Sequence, residues 1–323
     1  MLIQTSPDAY EKLRHLGGMA TDDVLAPEDH KFNAPQDAYE QPRNRALPAG
    51  VYKAAMPNGK TISLLRVMFT DVCKYDCAYC PNSVWAPRRR YGFKVDELAR
   101  LFMELYQRQT VAGLFLSSGI ASTPDGIMEK LLDTVDALRN RYKFRGYIHL
   151  KVMPGASPAG VEAAHRLGTR LSINMELPTA EHLAKVSTMK DFNNHILEPM
   201  KAIHNHIQAA TPGGGAAGQV TQLVVGAAEE SDMDIYHRMA QLYGQWRFKR
   251  VYYQPFRPAR YTPLEEHPAT PMLRAHRLYQ LDWLSRIYGY SEEELRPAFD
   301  GGGFLPLEVT PSSSWRPTAT ATR

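Results

Sequence analysis

Past about residue 60 the chain alternates between two hydrophobic periods. The short runs 62–69, 113–117, 147–152, 170–177, 221–226 and 250–254 are almost continuous in apolar and β-forming residues. That is the pattern of strands buried on both faces of a parallel sheet. Between them, apolar positions recur three and four residues apart. Val95, Leu98, Leu101, Phe102 and Leu105 share one stripe; Ile127, Leu131, Val135 and Leu138 share the next. This spacing predicts amphipathic helices. Thr123-Pro124 and Ser157-Pro158 each supply an N-cap followed by proline at the first helical position, and Gly168 marks a helix end. Further helices are predicted over 180–185, 196–209, 234–243 and 271–290, the last packing through Leu273, Leu281, Leu284 and Ile287. Six strand–helix units imply parallel strands joined by right-handed crossovers. Six are too few to close an eight-stranded barrel. The expected fold is therefore α/β, a partial (β/α)6 TIM-type barrel with an irregular N-terminal extension and a C-terminal helix.

The flanks read differently. Residues 1–56 are polar and turn-rich apart from a short helical pattern near 9–16, and Pro57-Asn58-Gly59 signals a turn. The barrel is assigned to 57–262, a helical segment to 263–298, and a disordered low-complexity tail to 299–323. Gly213-Gly214-Gly215 reads as a flexible connection.

The composition of the 323 residues, 44% hydrophobic and 22% charged, excludes wholesale disorder. A formal net charge of +4 permits a polyanionic partner without arguing for one. No run is long and apolar enough to span a membrane, and Met1-Leu2-Ile3-Gln4 does not begin a secretory leader, so a cytoplasmic protein is expected.

The three cysteines are Cys73, Cys77 and Cys80. Their C-x3-C-x2-C spacing lies between the first strand and the first helix, on a loop at the C-terminal face where barrel active sites form. Three thiolates on one loop suit three corners of an iron–sulfur cubane. With no fourth cysteine in the chain, one iron would stay open for a ligand, unlike the four-cysteine sites of simple electron carriers. A structural zinc would need a distant histidine as fourth ligand. His204 and His206, two residues apart, cannot share a helix face.

With Tyr79 before the last cysteine, the motif resembles that of the radical S-adenosylmethionine (SAM) superfamily. The resemblance implies a [4Fe-4S] cluster on Cys73, Cys77 and Cys80, with SAM chelating the open iron. Reductive cleavage of SAM would then give a 5′-deoxyadenosyl radical that abstracts hydrogen from substrate. It further implies an external one-electron reductant of flavodoxin or ferredoxin type. Ser117, Ser118 and Gly119 stand where the superfamily holds the SAM amino group. Ser172, Asn174 and Glu176 stand where it contacts ribose and methionine, and Gly226 where backbone approaches adenine. The segments 59–65, 113–119, 146–157, 171–178, 217–219 with 221–222, 250–253 and 276–279 look like a narrower group, the DNA modification/repair radical SAM family, often linked with a uracil-DNA-glycosylase-like partner. The likeness runs from about 57 to 296 and lacks the helix-hairpin-helix module common in that family.

Other residues invite roles. His149 and Lys151 alternate with Ile148, Leu150 and Val152, so they are expected to point into the barrel, with Glu176 as partner for Lys151. Tyr253, ending the sixth strand, is the candidate should a protein-borne hydrogen donor be needed, but an aromatic on a barrel strand is more often a packing or adenine-side residue. Arg257 and Arg260 with Tyr261, and Arg88-Arg89-Arg90-Tyr91 after the cysteine loop, combine cations with aromatics as phosphate and base contacts do. For both groups the bland alternative, a solvated loop plus partners for the cysteine loop, is the more common case. A nucleic acid or nucleobase-containing substrate leads. A small molecule or peptide, or a non-catalytic iron–sulfur scaffold, stays open.

Overall fold

The computed structural model describes residues 7–19, 49–55, 61–211 and 214–308. The expected turn at 57–59, Gly213 and the tail beyond 308 lie outside the described residues.

The strands, in chain order, are β1 (Val51–Ala55), β2 (Thr61–Met68), β3 (Gly113–Ser117), β4 (Tyr147–Lys151), β5 (Arg170–Ser172), β6 (Gln219–Val225) and β7 (Arg250–Pro255). They form one sheet in the order β1-β2-β3-β4-β5-β6-β7, antiparallel between β1 and β2 and parallel from β2 to β7. A strand order that never reverses is that of a barrel wall rather than of a doubly wound sheet. β1 and β7 do not pair, so the wall stays open: a partial barrel of six parallel strands with one antiparallel edge strand. That edge strand belongs to the segment expected to be irregular.

Helices α1 (Ala9–Met19), α2 (Val95–Gln107), α3 (Pro124–Asp136), α4 (Pro158–Leu167), α5 (Ala180–Val186), α6 (Glu198–Ala209), α7 (Asp232–Trp246), α8 (Met272–Arg286) and the short α9 (Glu292–Leu295) cover the outside. Thr123 and Ser157 cap α3 and α4 by accepting from Gly126 and Gly160 N–H at 3.1 and 3.3 Å. α8 buries Ala275, Leu278 and Leu281, while Leu273 and Ile287, expected to pack, are exposed.

Register decides what faces the interior. Arg66 pairs with Phe115, and Phe115 with His149, whose rings lie 4.4 Å apart. This inner layer sits two residues below Met68 and Lys151, or about 7 Å at 3.3 Å per residue. The opposite parity (Leu114, Leu116, Ile148, Leu150, Val251) packs under the helices and is fully buried.

Two expectations change at the ends of elements. The fourth parallel strand, read as 170–177, stops at Ser172. Thr221 of β6 takes over beyond it: its hydroxyl donates to Ile173 O at 2.7 Å and accepts from Met175 N at 2.9 Å. The tail was expected to be disordered from 299. Residues 299–308 instead pack on α7 and α8, with Leu305 buried, its N–H donating to Asp232 Oδ2 at 2.9 Å, and Arg277 Nη2 donating to Leu307 O at 2.8 Å. Asp232 and Arg277 are buried groups that need these partners.

Candidate functional site

The loop from β2 to α2 carries the cysteines and is tied down on every side. Asp71, fully buried, accepts from Tyr91 N–H at 2.6 Å and lies 3.0 Å from His15 Nε2 of α1 and 3.5 Å from Arg88. Arg90 donates to the carbonyls of Asp71, Asn82, Ser83 and Ala86 at 2.7–3.0 Å. These contacts place Arg88 and Arg90 in support of the loop. Asp76 accepts from Ser187 Oγ and Thr188 Oγ1 at 2.6 Å each, and from Thr188 and Met189 N–H at 2.9 and 3.4 Å. Burial favours its neutral form, yet these hydrogen bonds outweigh burial and hold its carboxyl below the usual range.

A cleft of about 440 Å³ opens over the C-terminal ends of the strands. Cys73, Cys77, Tyr79 and Cys80 form one wall, Ser118 and Gly119 the turn after β3, and Lys151, Asn174 and Glu176 the floor. Arg257 and Arg260 stand on the far rim. Gly119 is where the β3 turn meets the cysteine loop. A Cβ there would strike Val72 O and lie 3.2 Å from Cys73 Cβ, and the Gly119 N–H donates to Thr70 O at 2.7 Å.

Other sequence candidates do not line the cleft. Ser117 is buried at its edge, its hydroxyl without a hydrogen-bond partner among the described residues. Ser172, level with Lys151 in register, meets His149 of the layer below, Nε2 to Oγ at 2.9 Å. Burial, with Arg170, Lys151 and Arg66 adding to it, pushes His149 well below its ordinary pKa, so it is a neutral interior histidine. Gly226 is a turn residue with φ of +85°, where a Cβ would strike Thr270 Oγ1. Tyr253 has the wrong parity for the cleft. It faces α8, its ring 4.9 Å from that of Tyr279, and its own N–H donates to Tyr279 Oη at 3.1 Å. The next residue, Gln254, takes the place in the cleft wall.

The partner of Glu176 is also a correction. Its carboxylate pairs with Lys190 at 3.2 Å, both side chains nearly buried at 10% and 6% exposure. Lys190 also donates to Tyr79 Oη at 3.2 Å. Burial alone would lower the Lys190 pKa; Cys77 and Glu176 outweigh it and hold the ammonium above its ordinary value. Glu176 reaches this position through a left-handed backbone, φ +68°, pinned by its bridge to β6. Sequence reading missed Lys190, Gln222 and Gln254 as site residues, all in the cleft lining with Met153. The two glutamines, polar in otherwise apolar strands, carried a signal. Lys190, in the polar stretch between α5 and α6, carried none.

The donor set fits an iron–sulfur cluster. Burial pushes the Cys77 and Cys80 thiols up, and the neighbouring thiols push the same way. Positive metal charge reverses that preference. Among the described residues no three His, Cys, Asp or Glu side chains converge as ligands of a single ion. A cubane takes one thiolate per iron and does not require such convergence. No helix among the described residues is long and apolar enough to cross a membrane.

No protein-family model matches the sequence, and no curated protein does. Solved structures do match. One is methylornithine synthase (PylB), at 14% identity and TM-score 0.55 over 68% of this chain and 60% of that one. Another is HydG, a maturase of the [FeFe]-hydrogenase, at 11% and 0.51 over 67% and 48%. The maturase HydG from Carboxydothermus hydrogenoformans gives 12% and 0.52 over 68% and 50%. The chain thus spans about half to three fifths of the length of these proteins. At such identities the likeness is one of fold alone: the open, mostly parallel half-barrel.

Proposed function

We propose that this chain is a radical SAM enzyme acting on DNA or another nucleobase-containing substrate. One observation carries the reading: three cysteines in C-x3-C-x2-C spacing line a cleft at the C-terminal mouth of a partial barrel, in a chain with no other cysteine. Cys73, Cys77 and Cys80 would hold the [4Fe-4S] cluster, and Ser118, Gly119, Asn174 and Glu176 lie where SAM would bind. When bound, the reduced cluster and SAM supply a 5′-deoxyadenosyl radical. The protein's own part is to bind, orient and shield. The Lys190–Glu176 pair fixes the floor, Met153, Val224 and Phe256 exclude water, and Arg90 and Asp76 hold the cysteine loop in place.

The rim supports a phosphorylated substrate. Arg257 and Arg260 are cations on the cleft edge, and Tyr261 beside them is 60% exposed, free to stack on a base. At about 440 Å³ the cleft takes ligands of drug size, not a duplex. A DNA base would have to be extruded or already single-stranded. A uracil-DNA-glycosylase-like partner that delivers the strand belongs to the same reading.

The test is anaerobic reconstitution with iron and sulfide, then electron paramagnetic resonance of the reduced protein with and without SAM. A [4Fe-4S]+ signal that shifts with SAM, and 5′-deoxyadenosine formed with dithionite, are the expected results. No cluster, or one indifferent to SAM, refutes the enzyme. DNA affinity across a salt series tests the substrate: absence of a negative slope refutes phosphate contacts.

A further inference from the structure

The loop that carries the cysteines is stitched to the segment that carries Lys190. Ala78 N–H donates to Val186 O at 2.8 Å, at the end of α5. Asp76 takes the Ser187 and Thr188 hydroxyls at 2.6 Å each, and the Thr188 and Met189 N–H groups besides. Asp76 and Ala78 flank Cys77, so the stitches bracket one of the three thiols. Lys190 is the next residue after the stitched run. Its ammonium lands 3.2 Å from both Tyr79 Oη and Glu176 Oε1.

Holding an ammonium with only 6% of the side chain exposed is costly unless its donors are used. It has three. One goes to Glu176, one to Tyr79 and one to the Cys77 sulfur. Burial is the largest influence on the Cys77 thiol and raises it; the Lys190 ammonium comes next and opposes it, by its charge and by that hydrogen bond. A positive charge is therefore fixed against a cysteine sulfur, where water screens it little. An ion pair made for stability alone would need Glu176 and no sulfur.

We infer that Lys190 sets the reduction potential of the cluster held by Cys73, Cys77 and Cys80, its ammonium favouring the reduced form; the inference rests on the cluster reading above. Reduction adds one electron, supplied from outside, and forms or breaks no bond to the protein. Cluster potentials follow net charge, hydrogen bonds to the sulfurs and solvent exposure. Lys190 supplies the first two at Cys77. Glu176, bound to the same ammonium, offsets part of the charge. The Asp76 stitches make the placement a fixed one, since they set where the Lys190 backbone begins. Two consequences separate this role from packing or from binding SAM. The potential shifts with no SAM present, and the sign of the shift follows the charge removed.

The test is a redox titration of the full chain, reconstituted anaerobically with iron and sulfide and kept free of SAM. Dithionite with mediators sets the potential, and electron paramagnetic resonance reads the reduced cluster. Lys190→Met is expected to cut the reduced-to-oxidised ratio at a fixed potential at least tenfold, about 59 mV to the negative for a one-electron couple. Glu176→Gln is expected to shift the ratio the other way. Lys190→Met strands a buried carboxylate, so Glu176→Gln/Lys190→Met is also compared with Glu176→Gln, and the same tenfold fall is expected there. Lys190→Arg, which keeps the charge, should stay within about threefold of wild type. Ratios unmoved by loss of Lys190 in both backgrounds overturn the inference and leave the cluster reading intact, even where SAM affinity falls. A wild type that takes up no cluster overturns the cluster reading, and this inference falls with it.

Discussion

Replacing Lys190 by methionine probes the centre of the cleft most directly. The side chain keeps its length and loses its charge, which leaves Glu176 buried at 10% exposure without the ammonium 3.2 Å away. Stripping one partner from a buried ion pair costs about 3–5 kcal/mol. For a chain of this size that corresponds to a fall in Tm of roughly 6–20 °C. The second variant, Glu176→Gln, removes the stranded charge, so the double variant should regain about 2 kcal/mol or more over Lys190→Met alone. Urea denaturation of the reduced protein under nitrogen gives both numbers, and repeating it in high salt separates a buried pair from a surface one, which screening would erase. If Lys190→Met costs less than about 1 kcal/mol, in the range of exposed pairs, the reasoning is refuted. The same holds if the double variant recovers nothing.

Three further expectations follow from the placements. His149 has a depressed folded-state pKa, so the unfolded chain binds the extra proton first as acid is added. Its contribution is complete above about pH 6.5 and is lost as pH falls below it, at up to about 1.4 kcal/mol per pH unit. The stability curves of wild type and His149→Phe should diverge in that window; parallel curves from pH 7 to 5 contradict it. Tyr253→Phe should leave SAM cleavage unchanged and stability within about 1 kcal/mol, because the buried hydroxyl has no hydrogen-bond partner among the described residues. A large loss of 5′-deoxyadenosine formation would return the catalytic role to it. Gly119→Ala drives a methyl into Val72 O, so the cysteine loop must shift. Iron bound per chain should fall by half or more at a stability cost of about 1–3 kcal/mol, and full iron loading would contradict that role.

The sequence by itself determined the units of this fold. Short apolar runs between turn signals mark buried strands, serine or threonine before proline marks helix starts, and three cysteines without a fourth limit the metal chemistry before any coordinate is known. Those signals are local, since each depends on residues within one turn or one strand. What they leave undetermined is which parity of a strand turns inward and what lies across the barrel from it. A shift of one residue exchanges the two faces. Hence Tyr253, legible as a strand-end tyrosine, faces α8, while its neighbour Gln254 reaches the cleft. Glu176 was legible as a polar strand-end residue, but its cation arrives from a loop fourteen positions later that Asp76 clamps into place. The edge strand β1 and the docked segment 299–308 also have weak local patterns. They are ordered by what they pair with, β2 in one case and the buried Asp232 and Arg277 in the other. Only the tertiary structure decides such contacts, because their free energy comes from partners distant in the chain, not from the propensities of the residues themselves.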